Sequence, residues 1–434
     1  MAPVVSFGTD GLRGRAGTFP IEADTAARLG RILGARLGTI VVARDTRVSG
    51  PALVAGVARG VAEAGGSGVD VGVLPTPGLS VLVALGWGRC GVMVTASHNP
   101  PDENGLKVLG PDGRKLSDEA QSSLEDALAS DLAERSPPRG DRPLVDRARV
   151  ARDAYLDALL GRIPDGRWLE GRRVVADAAH GAACHTLPEV LARLGATVEP
   201  LACEEDGTRI NVGVGALHPK LAAAHVLETG ADVGIALDGD GDRVALVTAS
   251  GRVLEGDALL FLLAKPPAVV GTIMTNAGVE SALARRGIAL FRAPVGDRNV
   301  EAERMSRALT VGAEPSGHVC LADGLPTSDG ALTALSVLAA GFDLDERMRG
   351  CPLYPRAQRA VRVQDRPPLE EVPGLAQART RALAALGPGG RLILRYSGTE
   401  PVLRLLVEGR RATRVEAVAQ AFTRFLEEAI GSDP

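Results

Sequence analysis

The sequence predicts an α/β protein with three similar α/β domains, whose sheets are mixed but mainly parallel, followed by a C-terminal α+β domain. Three observations predict this class. At 434 residues the chain is too long for one ordinary core. Continuous apolar strands alternate with helical segments as far as Cys351, which is typical of parallel βαβ units covered on both faces. After Cys351 the composition changes.

The first domain is predicted at residues 1–147. The stretches "GTIVVAR", "GVDVGVLP" and "CGVMVT" have the continuous apolar character of buried strands, and "GPALVAGVARGVAEAGG" is typical of a helix closed by glycine. The polar segment "LASDLAERSPPRGDRPLVDRARV" contains three prolines and predicts the boundary that follows.

The alternation of strands and helices then continues. "RRVVADA", "GATVEPLA" and "ADVGIALDGDGDRVALV" predict a second domain at residues 148–253, and "AVVGTIMTN", "GIALFRAP" and "ALTVGAEPSGH" a third at residues 254–352. In the fourth domain, residues 353–434, three strands precede an amphipathic helix with Val415, Val418, Phe422 and Phe425 at helical spacing.

The bulk composition excludes several classes of protein. The formal net charge of −4, with scattered arginines, argues against a nucleic-acid partner. No apolar run reaches the length of roughly 18–20 residues that spans a membrane, and charged sequence begins at Phe7, where a secretory signal would be apolar. Five widely spaced cysteines without a C-x-x-C motif predict neither zinc site nor disulfide framework and fit a reducing cytoplasm.

The strongest chemical signal is "LDGDGDR", where Asp238, Asp240 and Asp242 alternate directly after a buried strand. Three carboxylates so close repel one another unless a cation neutralises them, and hard oxygen ligands suit Mg²⁺ or Ca²⁺. A calcium EF-hand is excluded because Arg243 stands at its glycine position and Ala249 at its final glutamate position. A solvated acidic turn remains the alternative.

The segment "GVMVTASHNPPDENGLK" presents Ser97, His98 and Asn99 where a strand ends. Ser97 either caps the next turn or is a nucleophile or phosphate carrier, because ligands of α/β sheets bind at the carboxyl ends of strands. Mg²⁺ usually keeps a place for a phosphate oxygen. A phosphate on Ser97 would therefore complete the site of the three aspartates, and Arg243 could face its charge.

Two further segments could contact a ligand. In "RYSGTEPVLR", Arg395, Ser397, the turn at Gly398 and Thr399, and Arg404 form either a phosphate cradle or a plain hairpin. In "GAEPSGH", the alternating Glu314, Ser316 and His318 either hydrogen-bond hydroxyl or amino groups of a sugar or belong to a structural loop. Three further arginines are candidates: Arg298 nearby, and Arg44 and Arg47 in "RDTRVSG". Taken singly, each is more often a surface charge than a ligand.

Together these segments resemble the motifs of the α-D-phosphohexomutase superfamily. "TASHNP" resembles its phosphoserine loop, "DGDGDR" its metal loop, "AEPSGH" its sugar loop and "RYSGTEP" its phosphate loop, in the right order and one per predicted domain. The resemblance implies four domains around a central cleft, one Mg²⁺ per chain, a phosphoserine at residue 97, and a small sugar phosphate as substrate. It also implies a bisphosphate sugar as intermediate and activator, and a homodimer.

The resemblance assigns roles to particular residues. Ser97 would carry the phosphate and hold the metal together with Asp238, Asp240 and Asp242. His98 would accept a proton. The positive groups near the transferred phosphate would be Arg13, Lys107 and Arg243. The residues that would bind the rest of the substrate are Arg298, Glu314, Ser316, His318, Arg395, Ser397, Gly398, Thr399 and Arg404.

Within the superfamily, "FGTDGLRG" and "SGTEP" resemble the bacterial phosphoglucosamine mutases. This resemblance implies conversion of glucosamine 6-phosphate to glucosamine 1-phosphate, toward UDP-N-acetylglucosamine and peptidoglycan. The alternative is a phosphoglucomutase or phosphomannomutase with the same mechanism. The sugar loop departs from the family pattern at Ala313 and at Pro315, where a glycine and a glutamine are usual, and Pro315 lies between two presumed sugar contacts.

Overall fold

The computed structural model describes residues 7, 8, 11–135, 139, 143–397 and 401–430. It divides into two compact units, the first comprising residues 1–273 and 291–347 and the second residues 274–290 and 348–434. The predicted α/β class with a C-terminal α+β part is confirmed. Within the described ranges, no helix is both long and apolar enough to cross a membrane. All five cysteine thiols are free.

The first sheet has six strands in the order β1-β5-β4-β2-β3-β6. Its strands and helices are β1 (Leu12–Arg15), α1 (Ala23–Leu37), β2 (Thr39–Arg44), α2 (Gly50–Glu63), β3 (Ser67–Val73), α3 (Thr76–Ala84), β4 (Cys90–Val94), β5 (Glu103–Leu109), α4 (Asp118–Glu134), β6 (Val145–Asp146) and α5 (Ala148–Leu160). Strands β2, β3 and β4 are parallel, as their continuous apolar character predicts. Their carboxyl ends therefore lie at one edge, where Ser97 follows β4.

The helices α1 and α2 pack unusually closely against each other. A Cβ atom on Gly60 would lie 1.8 Å from the carbonyl oxygen of Ala27, so only glycine permits this approach. The core beneath them is aliphatic and includes Leu29, Ile40, Val57 and Val92, each fully buried. Such close packing makes the sheet a rigid support for the loops at its edge.

The second sheet has the order β11-β10-β9-β7-β8. Its elements are β7 (Arg173–Asp177), α6 (Thr186–Arg193), β8 (Thr197–Leu201), α7 (Lys220–Thr229), β9 (Val233–Leu237), β10 (Val244–Thr248) and β11 (Val253–Leu254). All residues of β9 and β10 are buried, and the two strands are antiparallel. The acidic loop connects them and so projects from the middle of the sheet.

The third sheet has the order β13-β12-β14-β15. The elements of this part of the chain are α8 (Gly256–Leu263), β12 (Ala268–Thr272), α9 (Ala277–Arg285), β13 (Ala289–Ala293), α10 (Asp297–Ser306), β14 (Val311–Ala313), β15 (Val319–Leu321), α11 (Gly330–Ala339) and α12 (Leu344–Arg347). The strand predicted within "ALTVGAEPSGH" ends at Ala313, before Pro315 and Gly317, which make a regular strand unlikely, and β15 then pairs back with β14.

The second unit contains a three-stranded antiparallel sheet in the order β16-β18-β17. Its elements are β16 (Arg356–Arg362), a short 3₁₀ helix (Leu369–Glu371), α13 (Leu375–Leu386), β17 (Arg391–Tyr396), β18 (Val402–Glu408) and α14 (Ala412–Ile430). Helix α14 buries Val415, Val418 and Phe422 against the sheet, as the helical spacing predicts. Helix α9 belongs to the same unit.

Candidate active site

The structure places Ser97 where β4 ends, fully buried and with a left-handed backbone, φ being +51°. Its amide donates to Thr95 Oγ1 at 2.9 Å. Its hydroxyl donates to Asp238 Oδ2 at 2.8 Å and lies 3.3 Å from His98 Nδ1. Because serine seldom adopts a positive φ, this conformation requires outside support. The hydroxyl of Ser97 thus points at the acidic loop. This orientation agrees with the interpretation of Ser97 as a nucleophile or phosphate carrier.

The acidic loop between β9 and β10 gathers Asp238, Asp240 and Asp242. All three are buried, and one carboxylate oxygen from each lies within 4.8 Å of the others. The serine loop, residues 95–102 between β4 and β5, approaches so closely that a Cβ atom on Gly239 would lie 2.5 Å from the carbonyl oxygen of Ser97. A solvated acidic turn, the alternative left open by the sequence, is therefore wrong.

The donor set of this loop fits a divalent cation. Burial, followed by the charges of Asp242 and Asp240, raises the pKa of Asp238 to about 7, so the three carboxylates are costly to ionise together without a counter-ion. Within the described residues, the buried Oδ1 of Asp240 has no hydrogen-bond partner. Three hard oxygen donors with one such orphaned atom suit Mg²⁺.

Two positive side chains balance part of this charge. Lys107 on β5 is 3% exposed, and its Nζ donates to Asp240 Oδ2 at 2.7 Å and to Asp242 Oδ2 at 3.5 Å. The amide of Arg243 donates to Asp238 Oδ1 at 3.1 Å, and its guanidinium Nε lies 3.9 Å from Asp238 Oδ2. The structure thus brings both predicted cations to the acidic loop.

His98 remains a neutral imidazole at neutral pH. Burial, followed by the positive charges of Arg243 and Arg13, lowers its pKa to about 4. The half-buried Arg13 lies on β1, whose partner β5 also carries Lys107. A neutral ring beside Ser97 can accept a proton, which is the role that the resemblance implies.

The sugar loop is joined to the acidic loop through His318. Its Nε2 lies 3.0 Å from Asp242 Oδ1 and its Nδ1 3.2 Å from Glu314 Oε2. Burial opposes its charged form, but the charge of Asp242 and the hydrogen bond with it outweigh burial and raise its pKa to about 10. The hydroxyl of Ser316 approaches Glu314 Oε2 at 3.5 Å. Glu314, Ser316 and His318 therefore lie together, as predicted.

Arg298 lies elsewhere in the first unit. Its guanidinium donates to the carbonyl of Leu116 at 2.8 Å and to the carboxylate of Asp118. The neighbouring Asp297 accepts from Lys115 Nζ at 2.6 Å. These contacts fasten the start of α10 to the chain before α4. Arg298 also lines a small pocket together with Lys107, and its contact with a sugar stays a prediction.

The predicted phosphate cradle lies in the second unit. Arg395 on β17 and Arg404 on β18 are directly opposite each other, and both line a cavity of about 230 Å³ on the face of the sheet away from the helices. The buried Ser397 follows β17, and its amide donates to the carbonyl of Val402. Like charges opposite each other destabilise a sheet, which an anion between them would relieve. Gly398 and Thr399 lie outside the described residues.

Three residues that support this site were missed from the sequence. Arg47 is fully buried and pairs with Asp45, whereas the sequence favoured a surface charge. The side-chain amide of Asn211 donates to the carbonyl of Ser97 in the serine loop. The hydroxyl of Thr76 donates to Asp240 Oδ2 at 2.5 Å. No spacing pattern marks any of them as part of this site, because the groups that they contact there, on Ser97 or Asp240, are 50 or more residues away.

Domain models of one protein family match nearly the whole chain. The alpha/beta/alpha domains I, II and III of the phosphoglucomutase/phosphomannomutase family match residues 4–135, 153–251 and 241–347, and its C-terminal domain matches residues 360–425.

Two bacterial phosphoglucosamine mutases are similar over almost their full length. That of Halorhodospira halophila is 41% identical, covering 95% of this chain and 94% of its own. That of Alcanivorax borkumensis is 39% identical, covering 98% and 99%.

Solved structures are similar as well. A family protein from Burkholderia thailandensis superposes with a TM-score of 0.79 at 26% identity, covering 99% of this chain and 98% of its own. The N-acetylphosphoglucosamine mutase of Aspergillus fumigatus, solved with GlcNAc-6P and magnesium, has a TM-score of 0.68 at 16% identity, covering 98% and 96%; at that identity it supports the fold alone.

Proposed function

Because the chain belongs to the phosphoglucomutase/phosphomannomutase family, we propose that it interconverts glucosamine 6-phosphate and glucosamine 1-phosphate through a phosphoserine at residue 97. The observation that carries the proposal is the hydroxyl of Ser97, held 2.8 Å from Asp238 among three buried carboxylates. A hydroxyl aimed at a cation site is the arrangement that a phosphate carrier needs. The full-length phosphoglucosamine mutase relatives support the choice of sugar.

Asp238, Asp240 and Asp242 would hold one Mg²⁺, with the phosphate on Ser97 as a further ligand. When bound, the cation neutralises negative charge on the phosphoryl group. Lys107, Arg243 and Arg13 add positive charge on the protein side. Ser97 itself is fully buried, and this burial would protect a phosphoserine from hydrolysis.

Each half-reaction exchanges one phosphorus–oxygen bond. The bond between phosphorus and Ser97 Oγ breaks and a bond to the sugar hydroxyl oxygen forms. The neutral His98 accepts the hydroxyl proton, and the leaving Ser97 Oγ, 3.3 Å from His98 Nδ1, receives a proton from the same ring. The product of this step is a bisphosphate sugar. It then turns end for end and returns its other phosphate to Ser97, so that no phosphate is consumed.

The remaining predicted residues would bind the ends of the substrate. Glu314, Ser316, His318 and Arg298 would contact the sugar. A phosphate group would be bound by Arg395, Ser397, Gly398, Thr399 and Arg404. Three statements from the sequence stay predictions. They are the domain boundaries after residues 147, 253 and 352, the homodimer, and the cytoplasmic location.

The test is a comparison of initial rates on glucosamine, glucose and mannose 6-phosphates, with Mg²⁺ and a trace of bisphosphate sugar. We expect the highest kcat/KM on glucosamine 6-phosphate, without release of inorganic phosphate. A strong preference for glucose or mannose would contradict the choice of sugar and keep the mechanism, with Pro315 as the first residue to replace by glutamine. Phosphate release that matches substrate loss would identify a hydrolase instead.

A further inference from the structure

The backbone of the serine loop is held by two side chains that the proposed chemistry does not use. The carbonyl oxygen of Ser97 accepts from Arg47 Nη2 at 3.1 Å and from Asn211 Nδ2 at 2.9 Å. The carbonyl oxygen of Asn99 accepts from the same two donor groups, at 2.7 Å and 3.3 Å. Each carbonyl therefore receives two donors, which satisfies both of its lone pairs.

The two donors lie in loops that follow strands of different sheets. Arg47 follows β2 in the sheet that also carries Ser97, and it is fixed by Asp45. Asn211 lies between β8 and α7, in the part of the chain that carries the acidic loop. The side chain of Asn211 thus hydrogen-bonds the serine loop to the part of the chain that carries Asp238.

Asn211 is itself held in a specific position. Its φ is +61°, a left-handed conformation that asparagine tolerates better than most residues, and its amide donates to the carbonyl of Ala179 at 3.0 Å. It is only 8% exposed. A Cβ atom on Gly239 would lie 2.8 Å from Asn211 Nδ2, so the amide group is wedged between the serine loop and the acidic loop.

We propose that Asn211 is a positioning residue for phosphoryl transfer: by donating to the carbonyls of Ser97 and Asn99, it holds Ser97 in its left-handed conformation with Oγ aimed at Asp238. The consequence for kinetics rests on the proposed function; the positioning itself does not. Among the described residues, the hydrogen bonds of Asn211 go to the carbonyls of Ser97, Asn99 and Ala179 and not to Ser97 Oγ or the three aspartates, so it acts on the reaction through the loop. Its loss should therefore lower kcat much more than it changes KM.

The decisive variant is Asn211→Asp. It keeps the shape of the side chain and its tolerance of a positive φ, but replaces both N–H donors by an acceptor that faces two carbonyls. Asn211→Gly also tolerates the positive φ and removes the donor without adding a charge. The matched control is Asn299→Asp, because Asn299 also donates from Nδ2 to a carbonyl, that of Val295 at 2.9 Å, but is exposed on α10.

Two measurements are made on each full-length variant. Hydrogen–deuterium exchange of peptides covering residues 95–104 reports on the serine loop whether or not the enzyme turns over. Steady-state kinetics with glucosamine 6-phosphate report the consequence. We expect both Asn211 variants to exchange faster in this segment, with peptides of β2 and β9 unchanged. We expect kcat to fall between about tenfold and about 100-fold while KM stays within about threefold.

The outcomes separate the two claims. If wild-type protein shows no mutase activity, the proposed function fails. The positioning role is then still tested by exchange: unchanged exchange of the serine loop in Asn211→Asp would overturn it, and faster exchange would support it. If the wild type is active and Asn211→Asp keeps its kcat within twofold of Asn299→Asp, the inference is wrong. General unfolding, seen as faster exchange throughout the first unit in both Asn211 variants, would likewise overturn a local role.

Discussion

Replacing Arg47 by methionine should destabilise the first unit strongly, because its guanidinium is wholly buried. Arg47 Nε donates to Asp45 Oδ2 at 2.9 Å, and both side chains are 0% exposed. The same guanidinium donates to the carbonyls of Ser97 and Asn99 in the serine loop, and to that of Glu103 at the start of β5 at 2.7 Å. Methionine fills similar space but leaves the carboxylate of Asp45 buried without its counter-ion.

The magnitude follows from which partners remain. Removing one member of a buried ion pair typically costs about 3–5 kcal/mol. The carbonyl of Ser97 keeps Asn211 as a donor, and Asp45 keeps the hydroxyl of Thr95 at 2.6 Å, so we expect no larger loss. Arg59→Met is the control: its pair with Asp24 at 3.1 Å is 39% and 55% exposed, and exposed pairs contribute about 0–1 kcal/mol.

The assay is urea unfolding at equilibrium, followed by hydrogen–deuterium exchange of peptides from β2 and β4 so that the first unit is observed directly. We expect a loss of about 3–5 kcal/mol for Arg47→Met, and a smaller loss when Asp45→Asn is added, since the second change removes the unpaired charge. A loss below about 1 kcal/mol, equal to that of Arg59→Met, would refute the reasoning.

Three other predictions concern the same unit. Chelation of divalent cations should abolish turnover, and turnover that survives chelation would contradict the metal site. Adding back Mg²⁺ at about 100 times its Kd should restore turnover and raise the free energy of unfolding by about 2.7 kcal/mol. Gly239→Ala should lower kcat at least about tenfold, because the added Cβ would lie 2.5 Å from the carbonyl of Ser97, whereas Gly161→Ala, with its nearest neighbour at 3.4 Å, should not. Burial raises the pKa of Asp329 from 3.8 to about 6, so the stability that its proton contributes is complete below pH 3.8 and is lost as the pH rises through 6. Asp329→Asn keeps an acceptor for the amide of Leu332 but can place an N–H group where Asp329 accepts from the hydroxyl of Tyr155. Its stability relative to the wild type, measured by urea unfolding, should grow by about 2 kcal/mol between about pH 4 and about pH 7; a difference independent of pH would show that this carboxyl does not titrate as described.

Most of the fold follows from patterns within short stretches of sequence. Continuous apolar runs such as "VGIAL" mark buried parallel strands, and glycine ends the helix α2 as expected. One element end was predictable as well. Pro315 and Gly317 make a regular strand beyond Ala313 unlikely, and the chain turns there because Pro315 cannot donate to a ladder and Gly317 adopts a φ of +99°.

The candidate site was predictable where its residues are adjacent in sequence. Asp238, Asp240 and Asp242 form a visible triplet, and the end of a strand marks Ser97. Arg47 and Asn211 could not be found in this way, because each is defined by carbonyl groups 50 or more residues away. A buried arginine and a surface arginine look alike until the fold has brought their partners to them.

The measurement that tests the central claim most directly is the site of phosphorylation after incubation with glucosamine 1,6-bisphosphate and Mg²⁺, mapped by mass spectrometry of peptides. We expect one phosphate on Ser97 in the wild type, and neither that phosphate nor mutase activity in Ser97→Ala. The control Ser250→Ala, a change in the exposed turn between β10 and β11, should behave as the wild type. Mutase activity that persists in Ser97→Ala, or a phosphate carried by another residue, would contradict the central claim.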